Sequence, residues 1–412
     1  MRGPEMKRFV FASILLATAV AHAGGLGRPN TISARGVGMG GAWVAFADDA
    51  SAVYFNPAAM TEADPQASVG AEVVVGPRTY TPVADDGTRG PAQKATVVAP
   101  VPTAGGIGRF TYDDRPSRFT LGGGIWNTYG GQVSFPKQTP PLAALDSTQD
   151  AVVEANVGTG FRISDKFSIG AAFRLGIGLF AVKSTKLPYD ADLSATGIGV
   201  SMVWGLHYRP TDKVKIGVAW RAPMTLTTNG DGTINGASGV ERVSVQHEQQ
   251  WPQSASIGVG IQPTPELKLA TQLDWAQWSR VGELVVELPG SGNPDQVYRE
   301  DWKDNWTVRA GAEYAATKAV AVRAGGYYDT TAVPDRTIER QYLDSNKIGV
   351  SLGGSFRFAG SWRVDTAFDY VIPSTRTVPK NDAAQPAYER AKAPGDYRGS
   401  LITFEASVAR VF

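Results

Sequence analysis

From residue 66 onward, apolar side chains alternate with small or polar ones, and the alternation recurs in segment after segment. A period of two places successive side chains on opposite faces of a strand. It predicts fourteen strands, roughly 66–80, 95–112, 118–135, 150–163, 167–183, 193–209, 213–227, 250–262, 267–288, 299–314, 319–329, 345–358, 362–373 and 399–412. Each is close to or longer than the about 9 to 11 residues that cross a lipid core at the usual tilt. In the fifth, Phe167, Ile169, Phe173 and Ile177 share one face, and Ser168, Gly170, Arg174 and Gly178 share the other. In the sixth, Ile198, Val200, Met202, Trp204, Leu206 and Tyr208 oppose Gly197, Gly199, Ser201, Gly205 and His207. The apolar faces are expected to meet lipid and the polar faces a lumen.

The connections sort by parity. Every second one is short and rich in turn formers (113–117, 164–166, 210–212, 263–266, 315–318 and 359–361), while the others are longer. Short periplasmic turns alternating with longer outer loops belong to a transmembrane barrel, and a soluble sandwich has no reason to show them. The pattern therefore implies an all-β, fourteen-stranded antiparallel transmembrane β-barrel. The last residue, Phe412, falls on the lipid face, where a terminal aromatic suits barrel-assembly machinery. Arg410 shares that face and fits only if it reaches toward the headgroups.

The first residues change the picture of where this barrel works. Lys7 and Arg8 precede an apolar run from Phe9 to Val20 that closes on Ala21, His22 and Ala23. These are the parts of a cleaved secretory signal, with Met6 as the expected start and Gly24 as the expected first mature residue. The run is too short to span a bilayer. The chain has no Cys, which excludes a lipoprotein anchor, disulfides and thiolate chemistry. Cleavage removes Arg2, Lys7 and Arg8 against Glu5, so the formal net charge of +1 becomes −1, and nothing points to nucleic acid. Three divisions follow: a signal peptide (1–23), an N-terminal hatch (24–65) and the barrel (66–412).

A barrel of about 8 strands is filled by its own side chains and one of about 16 to 18 is an open channel. Fourteen strands therefore call for a plug, and residues 24–65, rich in small side chains, precede the first strand. This segment holds Ala34 Arg35 Gly36 Val37 Gly38 Met39 Gly40 Gly41 and, further on, Tyr54 Phe55 Asn56 Pro57 Ala58 Ala59. With Asn56, Pro57 and Ala58, and with Trp220 Arg221 Ala222 Pro223, Asp274 Trp275 Ala276 Gln277 Trp278 and Val322 Arg323 Ala324 Gly325 Gly326 Tyr327 further on, the chain resembles the FadL/TodX family of outer-membrane transporters of hydrophobic compounds.

The resemblance runs through nearly the whole mature chain. It implies passive movement of a hydrophobic small molecule, chiefly a fatty acid, past a hatch carrying the Asn-Pro-Ala motif and sideways into the outer membrane where the third strand kinks. The candidate kink is Asn127 with Gly130 and Gly131, since paired glycines commonly mark a bulge, although they also serve simply to bend a long strand. A second glycine run, Gly122 to Gly124, is the alternative position. The family's outer capture groove uses a long apolar loop where this chain has only 184–192, so an outer site is expected from other loops, such as 136–150 and 228–249.

Catalysis and metals find little support. Only His207, expected on the lumen face near the periplasm, and His247, expected in a long outer loop, survive signal cleavage, and no Ser lies in a nucleophile-elbow context. No cofactor is expected, and the barrel is expected to be a monomer among outer-membrane lipids. The lumen-facing charges Glu154, Arg162, Arg174, Arg309, Glu313, Arg323, Asp365 and Asp369 read first as a paired network. A sharper reading gives Arg174, Arg309 or Arg323 a ligand carboxylate, for which a guanidinium is suited. Three functions fit the pattern: uptake of fatty acids, uptake of aromatic or alkane hydrocarbons, and a structural or adhesive barrel with a sealed lumen. The signal and strands together predict a mature N-terminus at Gly24 and a heat-modifiable band in the outer-membrane fraction. N-terminal sequencing and fractionation check both, and recovery in the inner membrane would end this reading.

Overall fold

The computed structural model describes residues 32–112, 115–135, 145–184, 190–236, 239–341, 344–382, 384–386 and 389–412. Residues 1–31, which include the expected signal peptide, lie outside the described residues. The sheet is a closed antiparallel barrel of 14 strands. Six strands run unbroken from one end: β1 (Gln66–Pro82), β2 (Gln93–Tyr112), β3 (Arg115–Ser134), β4 (Leu145–Arg162), β5 (Phe167–Ser184) and β6 (Asp190–Thr211). The seventh barrel strand is broken at Ala222 and Pro223 into β7 (Val214–Arg221) and β8 (Met224–Gly236). Pro252 and Gln253 break the eighth into β9 (Gly239–Trp251) and β10 (Ser254–Ile261). The ninth is β11 (Leu267–Ala276), carried on by a 3-10 turn (Trp278–Arg280) and β12 (Glu283–Glu287). The tenth is β13 (Gln296–Arg299) with β14 (Asn305–Ala315). Then come β15 (Val320–Asp329), β16 (Lys347–Phe358), β17 (Trp362–Pro373) with the short β18 (Arg376–Val378), and finally β19 (Gly395–Gly399) with β20 (Leu401–Val411). β20 pairs with β1, for example at Val69↔Val408, and closes the ring.

Facing follows the period. On β6 the six residues from Ile198 to Tyr208 named above are exposed, while Ser201, Val203 and His207 are buried. Arg410 is accommodated as a cation over the rings of Trp362 (5.7 Å) and Phe412 (5.3 Å) at the rim. Two expected outer loops differ: residues 145–150 of the 136–150 connection already belong to β4, with 136–144 outside the described residues. Residues 228–249 are not a loop, because β8 and β9 continue as a paired hairpin in register Met224↔Trp251 up to Gly236↔Gly239. The reason is an inversion of polarity: here Leu226, Ile234, Val243 and Val245 point inward and are buried, while Thr227, Asn229, Asp231, Ser244 and Glu248 are exposed. The hairpin stands above the lipid band, in water, and the alternation has changed phase at the proline breaks. His247 accordingly sits on β9, buried against the Phe180 ring at 4.3 Å, with Nδ1 2.8 Å from the Val285 carbonyl.

Residues 32–65 fill the lumen. Three short turns, α1 (Ala34–Gly38), α2 (Ala52–Phe55) and a 3-10 turn (Pro57–Glu62), carry a buried apolar cluster that includes Trp43, Phe46, Val53 and Met60. The backbone of this plug comes so close to the wall that inward-facing glycines are required. A Cβ on Gly170 or Gly217 would overlap the backbone of Pro57 to Ala58 or of Val44, and one on Gly311 or Gly325 would overlap that of Met39 to Gly40. Ion pairs complete the seat. Arg35 bridges Asp48 (2.5 Å) and Glu313 (3.6 Å), Lys268 reaches both carboxylates, and Glu62 is shared by Arg162, Arg209 and Lys215 at 3.1 to 3.4 Å.

Gly170→Val should therefore dislodge the plug, with overpacking of about 1 to 3 kcal/mol directed at it. Gly108→Val, where a Cβ meets nothing within 4 Å, is the control. Conductance in planar bilayers should rise for the first variant and not for the second, with both still heat-modifiable. An unchanged conductance for Gly170→Val would show that the plug tolerates the added bulk.

Candidate functional site

Asn56, Pro57 and Ala58 sit where the plug meets β4, β5 and β6. Asn56 is fully buried and caps the 3-10 turn: its Oδ1 accepts from the Ala58 N–H (3.1 Å), and its Nδ2 donates to the carbonyls of Val44 and Leu206 (both 3.0 Å). One amide thus ties two parts of the plug to the wall. Pro57 starts the turn without a wasted N–H, and Gly205 makes room for the Asn56 amide. The turn role and the anchoring role of Asn56 coincide in the same side chain.

On the outer side of the plug lies a cavity that is partly open to solvent. Tyr54 and Phe55 of α2 form its floor, and Tyr129, Trp275 and Trp278 contribute aromatic wall. Its polar lining comes from β7, β10, β11 and β14, with Arg221, Gln272, Asp274, Asn305, Thr307 and Arg309 joined by Ser254 and Ser256. Of the three cations marked in the sequence, only Arg309 lines it. Arg309 is paired with Asp274 (2.5 Å), donates to the Gly40 carbonyl (3.2 Å) and lies 5.1 Å from the centre of the Tyr327 ring. Arg174 lies outside the lining, engaged by Glu154 at 3.0 and 2.5 Å and by the Ala222 carbonyl. Arg323 is likewise outside it, held by Glu313 (2.6 Å) and Ser355 (2.7 Å). The paired-network reading accounts for both.

The cation that sequence reasoning did not single out is Arg221, the last residue of β7. It stacks over Tyr54 at 3.4 Å from the ring centre and donates through Nη2 to the Tyr54 carbonyl, whereas its buried Nη1 has no hydrogen-bond partner among the described residues. The signal that locates it is the Ala-Pro pair directly after it, which breaks the strand at the cavity's rim.

The third strand carries the other feature. β2 and β3 pair only as far up as Ala104↔Ile125; beyond that, residues 93–103 pair with β1 alone and 126–134 with β4 alone. The β3–β4 register slips between Asn127 and Tyr129, so Thr128 is the bulged residue, and its hydroxyl donates to Glu154 (2.8 Å). Gly130 has φ +64° and packs on the β4 backbone at Asp150, so it supports the kink from the β4 side. Gly122 to Gly124 pair on both sides and mark no gap. Pro100 and Pro102 fall at alternate positions in the one-sided stretch of β2, where the β1 pairing runs on undisturbed. Proline cannot donate to a ladder and is confined to strand edges, so this pair was the readable sign of an open edge in the sequence. Tyr129 links edge and cavity: it lines the cavity, stacks on Trp251 at 4.7 Å and meets Trp278 edge-on at 6.4 Å.

Comparison with known proteins agrees with this geometry. The family described as outer membrane protein transport protein (OMPP1/FadL/TodX) matches residues 14–412. A putative outer membrane protein of Neisseria meningitidis serogroup B is 24% identical, covering 93% of this chain and 92% of that one. Among solved structures, a FadL homologue of Pseudomonas aeruginosa superposes with a TM-score of 0.81 at 19% identity, covering 94% of this chain and 100% of its own. The toluene transporter TodX of P. putida gives 0.73 at 16% identity, covering 95% and 99%. At such identities these structures share the fold. With its matching family, its closed barrel and its filled lumen, the chain belongs to the OMPP1/FadL/TodX family: it is an outer-membrane transport barrel for hydrophobic small molecules and not an enzyme.

Proposed function

We propose that this barrel takes up long-chain fatty acids passively, holding the carboxylate at Arg221 in the cavity on the plug and releasing the molecule sideways between β2 and β3. The observation that carries the reading is the Arg221 Nη1, buried in the lining of a cavity that mixes aromatic rings with polar side chains and lacking an acceptor among the described residues. A guanidinium in that state gains a charge-assisted bond from an anionic head, worth about 1.5 to 3 kcal/mol, while a pure hydrocarbon leaves it unsatisfied. Sideways release suits the ligand. Moving a long alkyl chain from cavity to lipid avoids rehydrating it, which at about 25 cal/mol per Å² amounts to several kcal/mol. The unpaired edge, flanked by outward-facing Val98 and Ile125, is a place in the wall where no ladder must be broken first.

Uptake of aromatic hydrocarbons is the second reading. The stacked Tyr129, Trp251 and Trp278 favour it, as does the likeness to toluene transporters. The motif Asn56, Pro57 and Ala58 serves either substrate by seating the plug.

Arg221→Met separates the two. In cells relying on this barrel, uptake of labelled oleate should fall about tenfold, the factor for 1.4 kcal/mol, while methyl oleate and toluene are unaffected. Equal loss for all three would assign Arg221 to plug packing, and no loss for oleate would favour the hydrocarbon reading. For the exit, Val98→Cys with Gln132→Cys places the chain's only two thiols on the outward faces of the two edges. A reducible bis-thiol linker should lower uptake severalfold and a reductant should restore it. Transport at the unlinked rate would rule out release between β2 and β3.

A further inference from the structure

Above the lipid band, where the strands turn their apolar residues inward, lies a second, partly open cavity. Phe180 and Val182 of β5, Leu193 of β6, and Leu284, Val286 and Tyr298 of the β12–β13 hairpin form its walls. These residues belong to an apolar cluster separate from those around the plug. Its polar edge is made by two carboxylates, Glu300 and Glu339. They share one ammonium: Lys392 Nζ is 2.9 Å from Glu300 and 3.4 Å from Glu339, beside the Tyr298 ring at 5.8 Å. The second Glu300 oxygen accepts from the Trp302 indole at 3.0 Å.

Three outer connections, 277–304, 330–346 and 374–400, therefore converge on this cluster. Glu300 and Leu284 also line a neighbouring cavity, and that cavity shares Trp278 with the one on the plug, so the three spaces adjoin through common wall residues.

The charge at the outer edge is the informative feature. Burial pushes the Glu300 carboxyl up to about 7, with Lys392 pulling it down and Glu339 pushing it further up. Across the neighbouring cavity the titratable groups are Asp150, His247, Glu248 and Glu283, so acidic groups predominate there as well. An ionised head group arriving here meets more carboxylate than ammonium; an uncharged one meets apolar wall.

We propose that the outer cavity is a binding site for uncharged hydrophobic molecules, namely hydrocarbons, alcohols and fatty acids in the protonated form, and that Glu300 and Glu339 exclude the ionised head group. The proposal rests on the barrel being a route for hydrophobic compounds, and it adds that a fatty acid passes the mouth neutral before its carboxylate meets Arg221. Glu300 takes up a proton as pH falls through about 7, and the ligand's carboxylate only nearer the ordinary carboxylic-acid range, so acid binding rises as pH falls.

The test uses the full barrel in lipid nanodiscs. Because the chain contains no Cys, Gln296→Cys carries a single environment-sensitive fluorophore at the lip of the outer cavity. Dodecanol and dodecanoate are titrated at pH 8. The pair Glu300→Gln with Glu339→Gln should tighten dodecanoate binding about tenfold, as expected when like charges are removed from a dehydrated edge, and leave dodecanol unchanged. Glu339→Gln alone, which keeps the bonds of Glu300 to Lys392 and Trp302, should give a smaller shift in the same direction. Leu193→Trp, which fills the cavity, should weaken both ligands at least tenfold. Dodecanoate binding indifferent to both Gln substitutions, or a fluorophore response surviving Leu193→Trp, would overturn the proposal while leaving transport intact. Failure of the wild type to carry any hydrophobic compound would instead overturn the transport reading itself.

Discussion

Inside a hydrocarbon layer there is no water to satisfy a backbone N–H or C=O, so every such group in a spanning segment needs a partner in the protein. That requirement makes the sheet close on itself and fixes the pairing of β20 with β1. It also gives meaning to a stretch where a ladder stops. Between residues 93–103 and 126–134 neighbouring strands part company, and the chain softens the penalty by two local means. Two prolines remove donors from one edge, while a bulge turns the other edge inward and buries Asn127 and Thr128. An edge so prepared is a designed feature of the wall.

The same requirement governs the lumen. Charges there are affordable only in pairs, and the structure pairs them across strands and between plug and wall. Because the plug is seated by short backbone contacts at glycines and by these ion pairs, it is a fitted part of the barrel, with an apolar cluster of its own on the inside. Within this network Arg35 Nε, at the seat of the plug, and Arg221 Nη1, in the lining of the cavity, are cationic nitrogens without a hydrogen-bond partner among the described residues. Arg221 lies at the break between β7 and β8, where cavity, plug and strand end meet.

Polarity along the barrel axis then orders the route. In the lipid band the apolar residues face out and the lumen is ionic; above it the phase inverts, and apolar residues enclose spaces that a greasy molecule can occupy in water. Carboxylates line the outer cavity and a guanidinium the one on the plug, so the two spaces differ in the charge they present.

By itself the sequence determined the number of strands, the parity of their connections, which face of each meets lipid, and the presence of a plug. All of these rest on local periodicity, on turn residues and on strand length, which are written within a dozen consecutive positions. Even the polarity inversion at 228–249 was hidden only because alternation there is weak and its phase has no absolute reference in the sequence. The tertiary structure decided which charges pair, for those partners lie far apart in the chain: Arg35 finds Glu313, and Arg309 finds Gly40. It also decided where the β2–β3 ladder ends, that Arg174 and Arg323 are occupied, and that Arg221 is not fully so. Such facts depend on the register and shear of a closed sheet, which set every lumenal neighbourhood at once and leave no mark on any single segment.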